Sequence, residues 1–450
     1  MTLLAINWGS VGIKTLQFIL SFSILVTLHE LGHFLTARWF KCRVEKFYLF
    51  FNPWFSLWKK KVGDTEYGIG WVPFGGYVKI SGMIDESMDK DAMKQPPKDY
   101  EFRSKPAWQR LIIMTAGVIV NVILAIVIFI FIAWTWGDVF LPGKNMTYGV
   151  YADSSARKIG MQNGDKIIAV DTTEVKDFST LPKSIILDDA QTLKVDRNGT
   201  IVSLPLTTAF KQELNRNKFE GFVDIRRPVI VDSLDSSAVH FIDNKLQKND
   251  TLVAINHIAF RWYNEYDSLK KNYKNQDVVL TVLRQKDTVD VKLKLDTAGR
   301  AGFFAAGSKL FQLVTNDYTF GESIGVGFRK CFTTLGNYIA GLRQIFKGNI
   351  SPKDSLGSVI SIGNTFPGIW DWETFWRLTG IFSIILAFMN ILPVPALDGG
   401  HALFTIYEII TGRKPSDKFM EYAQMVGMVL LLGLMAYALG LDVWRSFFKH

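Results

Sequence analysis

The sequence predicts an α-helical polytopic membrane protein. It has four transmembrane helices, one of them broken, a membrane-associated β-hairpin, and two α+β domains inserted between the second and third spans. Three observations predict this. Four apolar runs reach or exceed the length of about 20 residues that crosses a bilayer. Lys and Arg gather at the ends of those runs, where they set topology. Between the second and third runs the chain turns mixed polar and apolar, alternates as strands do, and repeats itself.

Composition fits a few spans joined to soluble modules. The 450 residues are 48% hydrophobic with a mean hydropathy of +0.14, high for a soluble protein and low for a pure membrane bundle. The net charge is +9. A nucleic-acid partner would require basic stripes interleaved with aromatics on a soluble fold. Here the positive charge flanks apolar runs, so no nucleic acid is expected and the lipid bilayer is the expected partner. Cys42 and Cys331 are far apart and form neither a disulfide framework nor a CxxC pair.

The first span, placed in residues 1–38, centres on Leu16–Leu35, LQFILSFSILVTLHELGHFL. It is too long for a cleavable signal and has no small-residue cleavage site, so it is expected to remain as an anchor. Near its end stand His29, Glu30 and His33, ionisable groups that are costly at membrane depth and therefore candidates for function. On a helix, positions i and i+4 share a face, so both imidazoles can point at one ion. Glu30 lies about 100° round the helix, beside that ion. Two His ligands with a carboxylate that takes a proton from water is the pattern of a zinc hydrolase.

Residues 39–107 form a loop region. Its aromatics Tyr48, Phe50, Phe51, Trp54, Phe55 and Trp58 suit a membrane interface. A β-hairpin is expected over 66–80, broken at Pro73 and Gly75-Gly76. Its edge at Gly75, Gly76, Tyr77 and Val78 could pair with an unwound substrate; a plain surface hairpin fits the spacing equally. Met83–Tyr100 reads as a polar loop. The second span, 108–137, carries Asn121, read as an interhelical hydrogen bond rather than a ligand.

The middle region repeats GDKIIAVD at Gly164–Asp171 as NDTLVAIN at Asn249–Asn256. Small-residue segments at 154–157 and 236–239 precede each copy and read as short helices. Two modules are expected, 145–210 and 222–297. They resemble PDZ domains, which hold peptide ends by strand addition. His240 and His257 fall here and read as ordinary surface or core histidines. Over 320–350 an apolar stripe at helical spacing (Ile324, Phe328, Cys331, Leu335, Ile339) suggests a helix lying on the membrane surface; packing on a soluble domain competes.

A catalytic zinc takes three protein ligands. The single-helix form HExxHxxGxxH is excluded, because Thr36 and Trp39 occupy the remaining places. The third run, 375–411, is too long for one simple span and is broken by Pro393, Pro395 and Gly399-Gly400. Irregular backbone at that depth must be buried in protein or line a polar cavity. Asp398 sits in the break and is the expected third ligand. His401 is the rival, with a supporting role favoured. The fourth span is 420–442. With the amino terminus outside, the basic clusters after the first span, before the second and between the third and fourth all face the cytoplasm. Segment 140–370 then lies outside.

Taken together, HELGH at 29–33, GGYVK at 75–79, FRSKPAWQR before the second span, the tandem repeat and NILPVPALDGG at 390–400 resemble the bacterial intramembrane site-2 protease family. The resemblance implies zinc held by His29, His33 and Asp398, with Glu30 as general base. It implies that Asn390 steadies substrate or the tetrahedral intermediate, and that the stretch around Gly75-Gly76 dips into the membrane to receive substrate. The implied substrates are single-span membrane proteins, anti-sigma factors and signal-peptide remnants already cut outside and screened by the PDZ pair. The implied setting is the bacterial inner membrane, with PDZ-like domains and amino terminus extracytoplasmic and the enzyme a monomer. The chain departs from many relatives at Val118, and at Gly357–Ile360, where they carry a GPI turn. A non-catalytic scaffold that binds exported peptides is the alternative. A transporter lacks support, since no repeat is seen among the spans.

Overall fold

The computed structural model describes residues 8–83, 96–217, 222–234, 241–297, 299–307, 310–355 and 357–448. The small-residue segment at 236–239, His240 and most of the polar loop at 84–95 lie outside the described residues. The chain divides into two compact units, one of residues 1–137, 317–339 and 355–450, the other of residues 138–316 and 340–354.

In the first unit, α1 (Trp8–Trp39) runs 32 residues without a proline, and α2 (Ala107–Trp136) starts after Pro106 and stops at Gly137, whose φ is 65°. Proline before a helix and a left-handed glycine after it suit the unpaired groups at each end. Beyond residue 316 come α6 (Phe320–Phe346), whose residues 340–346 belong to the second unit, α7 (Val359–Asn364), α8 (Trp372–Ile391), α9 (Asp398–Thr411) and α10 (Asp417–Phe448). Among the described residues, four helices are long and apolar enough to cross a membrane: α1, α2, α8 and, within α10, Lys418–Arg445. Half of the α2 window is buried, more than in any other span, because α1, α8 and α9 all pack on it. It is the central wall of the unit.

The break in the third run falls where Pro393 and Pro395 stand, between α8 and α9. At 20 residues and 1.5 Å each, α8 alone is about 30 Å long, a full crossing. Residues 392–397 then turn, with Ala396 at φ 80°, and α9 begins at Asp398. A Cβ at Gly399 would collide with the carbonyls of Leu392 and Ile391, and one at Gly400 would lie 2.6 Å from the Val394 carbonyl. The glycine pair lets the turn fold back onto the start of α9.

Between α1 and α2 the expected hairpin over 66–80 is not what forms. Strands β1 (Val44–Phe51), β2 (Trp58–Val62), β3 (Thr65–Ile69) and β4 (Val72–Ile80) make a four-stranded sheet in the order β2-β3-β1-β4. β1 pairs parallel with β3 and antiparallel with β4, so β3 and β4 are not neighbours. The eight-residue β1 has two edges to satisfy, and the link Gly70–Trp71 carries the chain across its end, with Gly70 N–H bonded to the Leu49 carbonyl at 2.8 Å.

Helix α6 packs part of its length on the spans. Cys331 and Leu335 join a cluster with Ala125, Ile128 and Phe129 of α2 and Ile384 of α8. The neighbouring stripe Ile324, Phe328, Phe332 and Ile339 remains exposed.

The second unit contains β5 (Asp138–Phe140), paired with β19 (Val314–Asn316), and two modules with separate cores. The first has β6 (Val150–Ala152), α3 (Ser154–Lys158), β7 (Lys166–Val170), β8 (Thr173–Glu174), β9 (Thr192–Arg197), β10 (Thr200–Pro205), α4 (Thr208–Arg216) and β11 (Val223–Ile225). The second has β12 (Val229–Leu234), β13 (Phe241–Asp243), β14 (Thr251–Ile255), β15 (Ile258–Ala259), α5 (Tyr263–Lys270), β16 (Asp277–Arg284), β17 (Asp287–Lys294) and β18 (Phe303–Ala305).

Both copies of the repeat carry the same aspartate–arginine lock. Arg197 grips Asp165 through Nε–Oδ1 at 2.9 Å and an η nitrogen–Oδ2 at 2.8 Å, and Arg284 grips Asp250 at the same two distances. Asp165 and Asp250 also accept from the backbone N–H of Gln162 and Gln247. Gly164 has φ 97° and Asn249 φ 70°. Asparagine tolerates the left-handed region, which explains how it replaces glycine in the second copy. Both modules extend beyond the expected limits. β11 completes the first by pairing with β6, and β18 completes the second by pairing with β12.

Candidate metal centre and active site

Helix α1 brings His29 and His33 onto one face, 7% and 4% exposed. The turn before α9 delivers Asp398 to the same point. His29 Nε2 lies 3.2 Å from His33 Nε2, and Asp398 Oδ2 lies 3.1 Å and 3.3 Å from the two. All three ligand atoms fall within 4.8 Å of one another. Atoms bound tetrahedrally to zinc at about 2.05 Å stand about 3.3 Å apart, so this triangle has the right size.

The donor set also has the right chemistry. His33 Nδ1 lies 2.8 Å from the Ile113 carbonyl. It donates there, which leaves Nε2 a bare lone pair. Asp398 Oδ2 is buried and has no hydrogen-bond donor. Lone pairs converging on one buried point repel each other unless a cation stands between them. The residues present therefore fit zinc.

Around the triangle, Glu30 faces β4. The Val78 N–H donates to its carboxylate, and a Cβ at Gly76 would lie 3.7 Å from Glu30 Cγ, 3.1 Å from Val26 and 2.7 Å from the Tyr48 carbonyl. Among the described residues β4 is an edge strand of its sheet. A cavity of about 720 Å³ is lined by His29, Glu30, His33, Asp398 and the β4 residues Gly76, Tyr77 and Val78. Gly75, at φ 143°, sits against Phe51 just before them. Asn390, near the end of α8, places Nδ2 3.3 Å from His29 Nε2. His401 lines a different cavity, with Phe102, Arg110 and Glu408, and is not part of the triangle.

On α2, Gly117 escaped the sequence reading, while Asn121 makes the interhelical hydrogen bond expected of it, but to a candidate ligand. A Cβ at Gly117 would stand 2.5 Å from His33 Nε2 and 2.6 Å from His29 Cε1, so only glycine leaves room for both rings. Asn121 Nδ2 lies 3.2 Å from His29 Nδ1, so Asn121 reaches the site itself. The available signal was a glycine and an asparagine four apart in an otherwise apolar span, on one face of the helix.

Comparison with known proteins agrees with this chemistry. The profile of peptidase family M50 matches residues 17–434. A protein from Vibrio cholerae that carries a zinc metalloprotease name is 27% identical over 458 residues, covering 96% of this chain and 98% of its own. A Rickettsia conorii protein with a similar name is 26% identical over 442 residues, covering 97% and 99%. The regulator of sigma-E protease of Escherichia coli K12 is 27% identical over 452 residues, covering 95% and 98%. The chain belongs to peptidase family M50 and is a membrane zinc metalloprotease.

Proposed function

We propose that the protein is an intramembrane endopeptidase that cuts single-span membrane proteins, of the anti-sigma-factor or signal-peptide-remnant kind, after a first cut outside the membrane. His29, His33 and Asp398 hold the zinc, which supplies Lewis acidity at the scissile carbonyl when bound. Glu30 takes the proton from the attacking water and returns it to the leaving amine. Asn390 turns its amide N–H toward the oxygen on which charge develops. The substrate lies extended along Gly75–Val78 of β4. Strand pairing holds it there and keeps its carbonyl free of helical hydrogen bonding. The two repeated modules act as PDZ-like domains on the extracytoplasmic side and screen what enters. The enzyme works as a monomer in the bacterial inner membrane with its amino terminus outside.

The observation that best supports this reading is the buried triangle of lone pairs, with Glu30 and the edge strand β4 sharing its cavity. The test is cleavage of a membrane-embedded substrate beside metal analysis of the purified chain. Glu30→Gln is expected to keep zinc and lose cleavage by about 10²-fold or more. His29→Ala and Asp398→Ala are expected to lose zinc, and His401→Ala to retain it. Wild-type cleavage by Glu30→Gln would refute the role given to Glu30, and full zinc in Asp398→Ala would refute the ligand set.

A further inference from the structure

We infer that Asn121 is the positioning residue that fixes His29 for the metal: its carboxamide oxygen accepts the hydrogen of His29 Nδ1, leaving the Nε2 lone pair for the ion. The inference rests on the reading of His29 as a zinc ligand. Asn121 lies on α2, fully buried at 0% exposure. One end of its amide is 3.2 Å from His29 Nδ1, and the other end, Oδ1, is buried with no donor.

Which end faces the ring decides the tautomer. With nitrogen toward Nδ1, that atom must accept, and the ring proton moves to Nε2. There it would point into the triangle shared with His33 Nε2 and Asp398 Oδ2 and exclude a cation. With the amide turned by 180°, a change that exchanges its two ends and moves no other atom, Oδ1 gains a donor, Nδ2 takes the buried far position, and Nε2 is free. The neighbouring ligand already uses this arrangement: His33 Nδ1 donates to the Ile113 carbonyl of the same helix. Residues 113, 117 and 121 are spaced by four and share one face of α2. Along that face a carbonyl oxygen serves each imidazole, with Gly117 between them touching both rings. α2 contributes no ligand, yet it sets the tautomer of both histidines. An oxygen on the far nitrogen of a ligating imidazole is a recurrent device for orienting metal sites.

The test uses the full chain in detergent and reads zinc content, the rate of zinc loss to a competing chelator, and melting of the zinc-free form. Asn121→Ala and Asn121→Leu, which offer no acceptor, are expected to weaken zinc binding about 10- to 100-fold without changing the zinc-free melt. Asn121→Asp keeps an oxygen facing Nδ1 and is expected to hold zinc close to wild type. Wild-type zinc retention by Asn121→Ala or Asn121→Leu overturns the inference. So does a loss in Asn121→Asp as large as in Asn121→Leu, since the amide nitrogen would then be the working end. Should either apolar variant fail to fold, Asn121→Asp decides alone. His29→Ala runs beside them: if it keeps zinc as the wild type does, the reading of His29 fails instead.

Discussion

Replacing Gly117 by alanine should damage the candidate metal centre without removing any of the proposed ligands. The added Cβ would sit 2.5 Å from His33 Nε2, 2.6 Å from His29 Cε1 and 2.8 Å from His29 Nδ1. Ordinary contact begins near 3.4 Å, so something must give by about 0.9 Å. The rings have little freedom, because His33 is tied to the Ile113 carbonyl. The helices have little either: a Cβ at Gly32 of α1 would already lie 2.7 Å from the Ala116 carbonyl of α2, so the two backbones meet one residue away. Metal sites tolerate about 0.2 Å in ligand distance. Overpacking of this kind costs about 1–3 kcal/mol, or roughly 5- to 150-fold in zinc affinity if the strain falls on the ligands. Competition with a chelator of known affinity measures it, with Gly433→Ala as control, since nothing lies within 4 Å of a Cβ there. A Gly117→Ala protein that binds zinc and melts as the wild type does would refute the argument that the rings and helix are held this closely.

Gly76→Ala should spare zinc and impair turnover. Its Cβ would lie 2.7 Å from the Tyr48 carbonyl of β1 and 3.1 Å from Val26 of α1, so β4 must shift beside Glu30 and cleavage should fall about 10-fold or more with zinc content unchanged. Arg197→Met and Arg284→Met should each strand a carboxylate that is 1% exposed, at about 3–5 kcal/mol. Hydrogen exchange should locate the first loss in β7 and β9 and the second in β14 and β16; a uniform change would contradict the separate cores. Asp189 accepts from Lys211 and Lys347, and these ammonium groups hold its carboxyl below the ordinary value. A depressed folded value means that its contribution is present above about pH 4 and is lost as the pH falls through that lower value. Asp189→Asn should flatten the acid limb of an unfolding curve, and an unchanged limb would show that other groups govern it.

How much was legible in advance differs from residue to residue. HELGH could be read because i and i+4 share a helix face whatever the tertiary structure. The repeat could be read because both copies keep the aspartate and arginine that lock their turns. Asp398 was reachable by pairing two incomplete polar sites at similar depth. The hairpin was misread because the pairing of β1 with both β3 and β4 follows from satisfying two edges of one strand, which no local alternation records. The limits of the modules were missed for the same reason, since β11 and β18 reach back about 70 residues to their partners.

The sequence by itself determined the candidate spans, the internal repeat and which polar groups of the spans were candidates for a metal site, because apolar length, periodicity and side-chain chemistry are local properties. Only the tertiary structure decided that α2 forms the wall beside both imidazoles. That outcome depends on a backbone-to-backbone approach between helices some 80 residues apart, where the missing Cβ of Gly117 and the buried amide of Asn121 acquire meaning from what stands opposite them.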